Sequence, residues 1–319
     1  MKKSKTKHLI CTLCERSFFS GAIVLLNSLL QGGFEGDFHL GYRNVNDAMH
    51  QRFQNEIEQF HQTADSNATV YLHRVSTDQH LANYKPTFLR TILGDTDAEE
   101  IAGAWYFDPD IVVKTKWRDF EQWIPFGVAL CEDVNSPVYA SHPRRHQWKQ
   151  FLEDHDTDYW RNLDIYVNSG FIGARPQHFS FFERWEKIIG WMERHYDAPD
   201  YTRTSVKLIG ESSSPNTPFY HLDQDCLNAA LSCGTEPYSI VGKEGMDFKH
   251  GGQWMSHAVG ASKPWNASFI RRSLRGKGVR MTDELYWRCA DNPFTAHTQV
   301  EISRAKLRMK TARALHRLL

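Results

Sequence analysis

Ala104-Trp105-Tyr106-Phe107-Asp108-Pro109-Asp110-Ile111-Val112-Val113 reads as an apolar strand carrying two carboxylates, and the rest of the fold follows from it. A short apolar run of this kind suits a strand buried on both faces of a parallel sheet. Residues two apart on a strand point the same way, so Asp108 and Asp110 are expected to converge on one site. Pro109 cannot donate a ladder hydrogen bond and biases Asp108 toward extended geometry, which places the pair where the strand leaves the sheet. In open α/β sheets that carboxyl edge is where ligands sit.

Working outward, residues 8–14 are short, apolar and closed by charge, as a buried strand would be, and residues 18–30 repeat apolar residues at helical spacing before Gln31-Gly32-Gly33. Residues 38–42 and 69–75 read as further strands, with a polar helix over 47–63 between them. A helix over 86–93 opens with proline, an acidic loop follows, and the 104–113 strand comes next. Residues 166–173 read as another strand and 177–194 as a Trp- and Phe-rich helix. This alternation predicts an α/β fold with a mostly parallel sheet covered by helices on both faces. One large domain is expected over residues 1–270, with 271–319 a C-terminal helical, basic tail. Residues 197–218 turn to Pro, Ser, Thr, Asp and Asn, and a loop of that length inside a compact domain predicts an active-site flap.

Lys plus Arg equals Asp plus Glu at 38 each, so no global field draws the chain to nucleic acid. The basic start is followed by an apolar stretch broken at Glu15 and Arg16, which does not make an export signal. Residues 18–30 are too short to cross a bilayer and contain Asn27 and Ser28, so a buried helix is expected. Six cysteines scattered at 11, 14, 131, 226, 233 and 289 form no disulfide framework, and a reducing, cytoplasmic setting is expected. Cys11 and Cys14 lack a second pair spaced for zinc and are assigned to packing.

Two carboxylates with no thiol nearby suit magnesium or manganese, ions that keep room for a substrate's phosphate oxygens. A lone Asp-x-Asp also occurs as solvated loop charge. A second signal is His257-Ala258-Val259-Gly260-Ala261-Ser262-Lys263-Pro264-Trp265, a histidine and a glycine followed by Lys-Pro-Trp. Two further polar stretches stand out. Asn168-Ser169-Gly170 follows an apolar run, and its amide and hydroxyl can read hydroxyls while Gly170 admits close backbone approach; a plain strand bulge is the alternative. Asp223-Gln224-Asp225-Cys226-Leu227-Asn228 opens an apparent helix, where Asp223 could instead be an N-cap.

Together, and in this order, these four motifs make the chain resemble the retaining glycosyltransferase family that includes glycogenin and bacterial lipopolysaccharide galactosyl- and glucosyltransferases. The resemblance implies a GT-A, nucleotide-diphospho-sugar transferase fold with a Rossmann-like, mostly parallel mixed sheet. It implies a hexosyltransferase that moves galactose or glucose from a UDP-sugar to a glycan or glycolipid acceptor with retention. By resemblance, Asp108, Asp110 and His257 hold Mn2+ or Mg2+, and Lys263 and the Gly260 backbone contact the donor diphosphate. Asn168, Ser169 and Lys85 touch the donor, and Thr12 and Leu13 lie against its base. Asp223 and Gln224 bind hydroxyls or face the anomeric carbon, while Asp225 holds the loop or the sugar. The alternative is a catalytically silent nucleotide-sugar-binding or scaffolding protein. The proline inside the Asp-x-Asp and the long segment before Asp223 depart from the family's commoner pattern.

The tail reads as a helix over 302–319 with Lys306, Lys310, Arg313 and Arg317 on one face. A basic face of this kind fits either peripheral contact with a membrane or plain solvation.

Overall fold

The computed structural model describes residues 6–155, 157, 159–195, 219 and 221–318. The first strand and helix form where the sequence places them: β1 is Lys7–Glu15 and α1 is Phe18–Gln31. Leu9, Ile10 and Cys11 are fully buried, as a strand covered on both faces requires. Helix α1 is buried from Phe19 to Leu29, the mark of a helix that is apolar all round. Its buried polar residues are all hydrogen-bonded: Ser20 donates to Ser17 O at 2.9 Å and Ser28 to Leu25 O at 2.7 Å. Asn27 donates to the carbonyls of Cys289 and Phe294 at 2.7 and 2.8 Å and accepts from Phe294 N at 2.9 Å.

There follow β2 (Gly36–Arg43), α2 (Asp47–Thr63), β3 (Thr69–Arg74), α3 (Lys85–Gly94) and β4 (Ile101–Phe107). Asn46 caps α2 by accepting from Met49 N at 3.1 Å. Next come β5 (Ile111–Val113), α4 (Trp117–Trp123), β6 (Val128–Glu132), α5 (Pro143–Glu153), β7 (Val167–Ala174) and α6 (Ser180–His195). The described chain ends with α7 (Leu222–Cys233), β8 (Tyr238–Val241), β9 (Met255–His257), α8 (Phe269–Ser273), α9 (Met281–Arg288) and α10 (Gln299–Leu318). The flap expected over 197–218 lies outside the described residues.

Seven strands form a mostly parallel sheet in the order β3-β2-β1-β4-β7-β6-β8, and β5 and β9 form a separate two-stranded ribbon. β1 runs parallel to β4, β2 to β3 and β6 to β8, while β6 and β7 are antiparallel. The α/β alternation is therefore observed, with helices flanking a mixed sheet.

The strand expected over 104–113 is two strands. β4 stops at Phe107, and Asp108-Pro109-Asp110 is a turn in which Ile111 N donates to Asp108 O at 3.1 Å. Pro109 cannot donate to a ladder, and the chain breaks there instead of continuing. β5 then leaves the large sheet and pairs with β9. The strand expected over 166–173 is β7, and Asn168-Ser169-Gly170 lies inside it.

By its contacts the chain divides into two compact units. The first comprises Met1–Cys11, Val75–Tyr106 and Glu121–Lys243, and the second Thr12–Arg74, Phe107–Phe120 and Glu244–Leu319. The basic C-terminal segment thus belongs to the second unit. Within α10, Ile302, Ala305, Met309 and Ala312 are buried while Leu307 is 65% exposed. Among the described residues no helix is long and apolar enough to cross a membrane. All six cysteines are buried, and none is in a disulfide bond among the described residues.

Candidate cation and sugar sites

The second unit brings Asp108 and Asp110 together with His257, which the sequence holds far from them. β5 and β9 pair antiparallel with Ile111 opposite His257, and Ala258 N donates to Asp110 O at 3.0 Å. This ribbon fixes the histidine beside the turn. His257 Nε2 lies 3.2 Å from Asp110 Oδ1 and 3.8 Å from Asp108 Oδ2, and one ligand atom from each of the three residues lies within 4.8 Å of the others. Ligands about 2.1 Å from a hard divalent ion sit about 3–4 Å from one another, so this spacing fits one. Two carboxylates and an imidazole suit manganese or magnesium more than a thiophilic metal. Nδ1 of the same ring is buried and has no hydrogen-bond partner among the described residues.

Lys263 belongs to the same cluster. Its ammonium donates to Asp110 Oδ2 at 2.5 Å and to Ala258 O at 2.7 Å, and lies 5.5 Å from the Phe18 ring centre. Burial pushes the Asp110 carboxyl up, but His257 and Lys263 outweigh it and hold the group well below the usual carboxylate range. Gly260 sits on an exposed turn with φ +85°, a conformation that glycine adopts without strain. Thr12 and Leu13 lie in β1; Thr12 is fully buried and its hydroxyl oxygen has no hydrogen-bond partner among the described residues.

The first unit holds the other expected residues in one hydrogen-bonded network. Lys85, at the start of α3, is 3% exposed and donates to Asp223 Oδ2 at 3.2 Å and Ser169 O at 3.2 Å. Ser169 Oγ donates to the same Asp223 oxygen at 2.6 Å. Burial raises the Asp223 carboxyl, and Lys85 with Ser169 more than reverses that, so it is held below its ordinary value. The N-cap of α7 is His221, so Asp223 is not the cap. Its side chain serves the network.

Gln224 Oε1 accepts from Asn168 Nδ2 at 3.2 Å and Ser169 N at 3.3 Å. Asn168 Nδ2 also donates to Asp133 Oδ2 at 2.7 Å, and its Oδ1 accepts from Gly170 N at 2.8 Å. Asp225 is fully buried; it accepts from Tyr166 Oη at 2.5 Å and His221 N at 2.9 Å, with Arg144 3.7 Å away. Burial pushes its carboxyl up, against the pull of Tyr166 and Arg144. Both its oxygens are taken by the protein, one of them by the N-cap residue of α7.

Sequence reasoning missed Asp133, Tyr166 and Arg144. Asp133 is 3% exposed and follows β6, a strand of five residues too short to show a period. An acidic residue just after a short apolar run ending in Cys131 was the available signal. Tyr166 and Arg144 announce themselves only through contact with Asp225, and no local spacing encodes that.

No family model matches the chain, and no curated protein sequence matches it. Among solved structures it is similar to the bifunctional glycosyltransferase WbbM, with a TM-score of 0.55 and 13% identity over 96% of this chain and 52% of that one. It is also similar to the glycosyltransferase GlyE of Streptococcus pneumoniae, with a TM-score of 0.53 and 14% identity over 97% of this chain and 64% of the other. An active-site mutant of LgtC aligns with a TM-score of 0.50 and 13% identity over 88% of this chain and 95% of that one. The chain thus spans about half to two thirds of the first two. At these identities the likeness speaks to architecture, and the architecture is that of a GT-A glycosyltransferase.

Proposed function

We propose that the chain is a metal-dependent glycosyltransferase that moves galactose or glucose from a UDP-sugar to a glycan or glycolipid acceptor with retention, as in the family that the four motifs resemble. The observation that carries this reading is the convergence of Asp108, Asp110 and His257 in a chain with a glycosyltransferase fold. Those three residues would hold Mn2+ or Mg2+, and the bound ion would supply positive charge to a departing diphosphate. Lys263 would donate hydrogen bonds to the diphosphate oxygens and offset their charge, with Gly260 leaving its backbone open to them. Transfer breaks the bond from the anomeric carbon to the diphosphate oxygen and forms one to the acceptor oxygen on the same face. The acceptor's proton leaves with the diphosphate, so no strong base is required. Thr12 and Leu13 are assigned to the base.

Taken by itself, the network of the first unit is equipped to bind sugar hydroxyls. Asp223 and Gln224 are assigned to hydroxyls or the anomeric carbon, with Lys85, Asn168 and Ser169 beside them.

Incubation with a panel of sugar nucleotides and Mn2+ tests the reading. UDP release is expected from UDP-galactose or UDP-glucose, with loss of about a thousand-fold or more when Asp108→Ala and Asp110→Ala are both introduced. NMR of the product should show a retained anomeric configuration, and inversion would overturn that part. Binding of donor without UDP release would favour the silent nucleotide-sugar-binding protein.

For the tail we propose contact with an anionic membrane surface from the cytoplasmic side. Lys306, Lys310, Arg313 and Arg317 on α10 are exposed, with the exposed Leu307 next to Lys306. Deleting residues 302–319 should lower binding to anionic liposomes, and unchanged binding would remove this partner.

A further inference from the structure

Helix α1 runs along the cation turn and β5 in step. Gly21 faces Pro109, Ser28 Oγ accepts from Val113 N at 3.0 Å, and the Gly32 carbonyl accepts from Trp117 N at 2.9 Å. Gly21 and Ser28 are seven residues apart, close to two helical turns, so they share one face. Phe18, one turn before Gly21, meets the Trp265 ring edge-on at 5.2 Å. That face therefore touches the Asp108-Pro109-Asp110 turn, the strand after it and the Lys-Pro-Trp segment.

A glycine inside a buried helix is less favourable than alanine and asks for a packing reason. Here the reason is closeness. A Cβ placed on Gly21 would lie 2.4 Å from the Pro109 carbonyl oxygen and 3.0 Å from two atoms of the Trp265 ring. Neither neighbour is the loose end of a side chain. The turn is tied by Ile111 N to Asp108 O and by Ala258 N to Asp110 O. The Trp265 ring is wedged between Phe18 and Tyr286, whose ring centres lie 5.2 and 5.3 Å away. Relief of the overlap must move the turn or Trp265, and Lys263 is two residues from that tryptophan.

We propose that Gly21 is a positioning residue for the cation cluster: its bare face sets how deep the Asp108-Pro109-Asp110 turn sits on α1, and so the spacing of Asp110 from His257 and Lys263. The inference rests on the reading that Asp108, Asp110 and His257 hold a divalent cation. It concerns the ruler that spaces them, not the ligands.

The test is Mn2+ affinity of the whole, donor-free protein, read from the electron paramagnetic resonance of the free ion, alongside circular dichroism and thermal melting. Gly21→Ala should keep its secondary structure and bind Mn2+ about 10–100-fold more weakly, the range seen for changes just outside a metal's ligands. Gly190→Ala on α6, where an added Cβ meets only Arg194 at 3.5 Å, should leave the affinity unchanged. Affinity of Gly21→Ala within roughly two-fold of wild type would overturn the proposal.

If Gly21→Ala does not fold, Ser28→Ala asks the same question without adding an atom. It removes the acceptor of Val113 N and should weaken Mn2+ roughly five-fold; no change would overturn the ruler. Asp110→Asn separates the two ideas. Wild type that binds Mn2+ no better than Asp110→Asn brings down the cation reading and this inference with it. Tight, Asp110-dependent binding that Gly21→Ala leaves intact brings down only the role of Gly21.

Discussion

Lys85→Met is expected to cost about 3–5 kcal/mol of folding stability, the range for removing one partner of a buried ion pair. The Lys85 and Asp223 side chains are 4% and 10% exposed, so the stranded carboxylate has little water to turn to. Ser169 Oγ still donates to it, but a hydroxyl does not neutralise a charge. Denaturant midpoints measure the loss. The exposed pair Lys149–Glu153, at 46% and 52% exposure, serves as the control, and Lys149→Met should cost no more than about 1 kcal/mol. Equal effects at the two lysines would refute the buried-pair account.

The sign with pH follows from the carboxyl. In the wild type Lys85 holds Asp223 below its ordinary value, so the pair's contribution is present above about pH 4 and fades as pH falls further. In Lys85→Met burial acts unopposed by the ammonium and raises the group. Protonation then relieves the penalty, and the deficit should shrink between pH 7 and pH 4. Asp223→Asn added to Lys85→Met should recover part of the loss at neutral pH for the same reason.

Lys263→Met is expected to change two measurements in opposite directions. Turnover of a sugar nucleotide should fall by about 10²–10³, the usual penalty for removing a donor that stabilises developing charge. Affinity for Mn2+ without donor should rise several-fold. The ammonium sits 2.5 Å from Asp110 Oδ2 and is a like charge to any cation on that carboxylate. Calorimetric titration checks the second half, and weaker Mn2+ binding in the variant would contradict the competition between ammonium and ion.

Much of this was legible in local sequence, and the remainder was not for identifiable reasons. β1 and α1 were read well because apolar runs buried on every side carry their own signature. The carboxylate pair was rightly placed at the end of a sheet strand, but for a partly wrong reason: Asp108 and Asp110 converge through a turn at Pro109, not through strand alternation. β6, β8 and β9 are five, four and three residues long, too short for any period to appear. The Lys-Pro-Trp stretch was read as diphosphate chemistry, and Lys263 does join Asp110, yet Gly21 looked like any small residue in an apolar helix. Its meaning lies in the Pro109 carbonyl opposite, and a single sequence does not encode that neighbour. The same holds for Tyr166 and Asp133, whose roles depend on Asp225 and Asn168.

The ribbon of β5 and β9 has a consequence for the birth of the molecule. Lys263 and Asp110 are 153 positions apart, and β5 takes β9 as its partner across a similar gap. On a ribosome the two acids emerge long before the imidazole and the ammonium that complete their surroundings. A chain arrested short of Met255 therefore carries an unmatched strand and an open carboxylate pair, and the centre closes only when the stretch from β9 to Lys263 arrives.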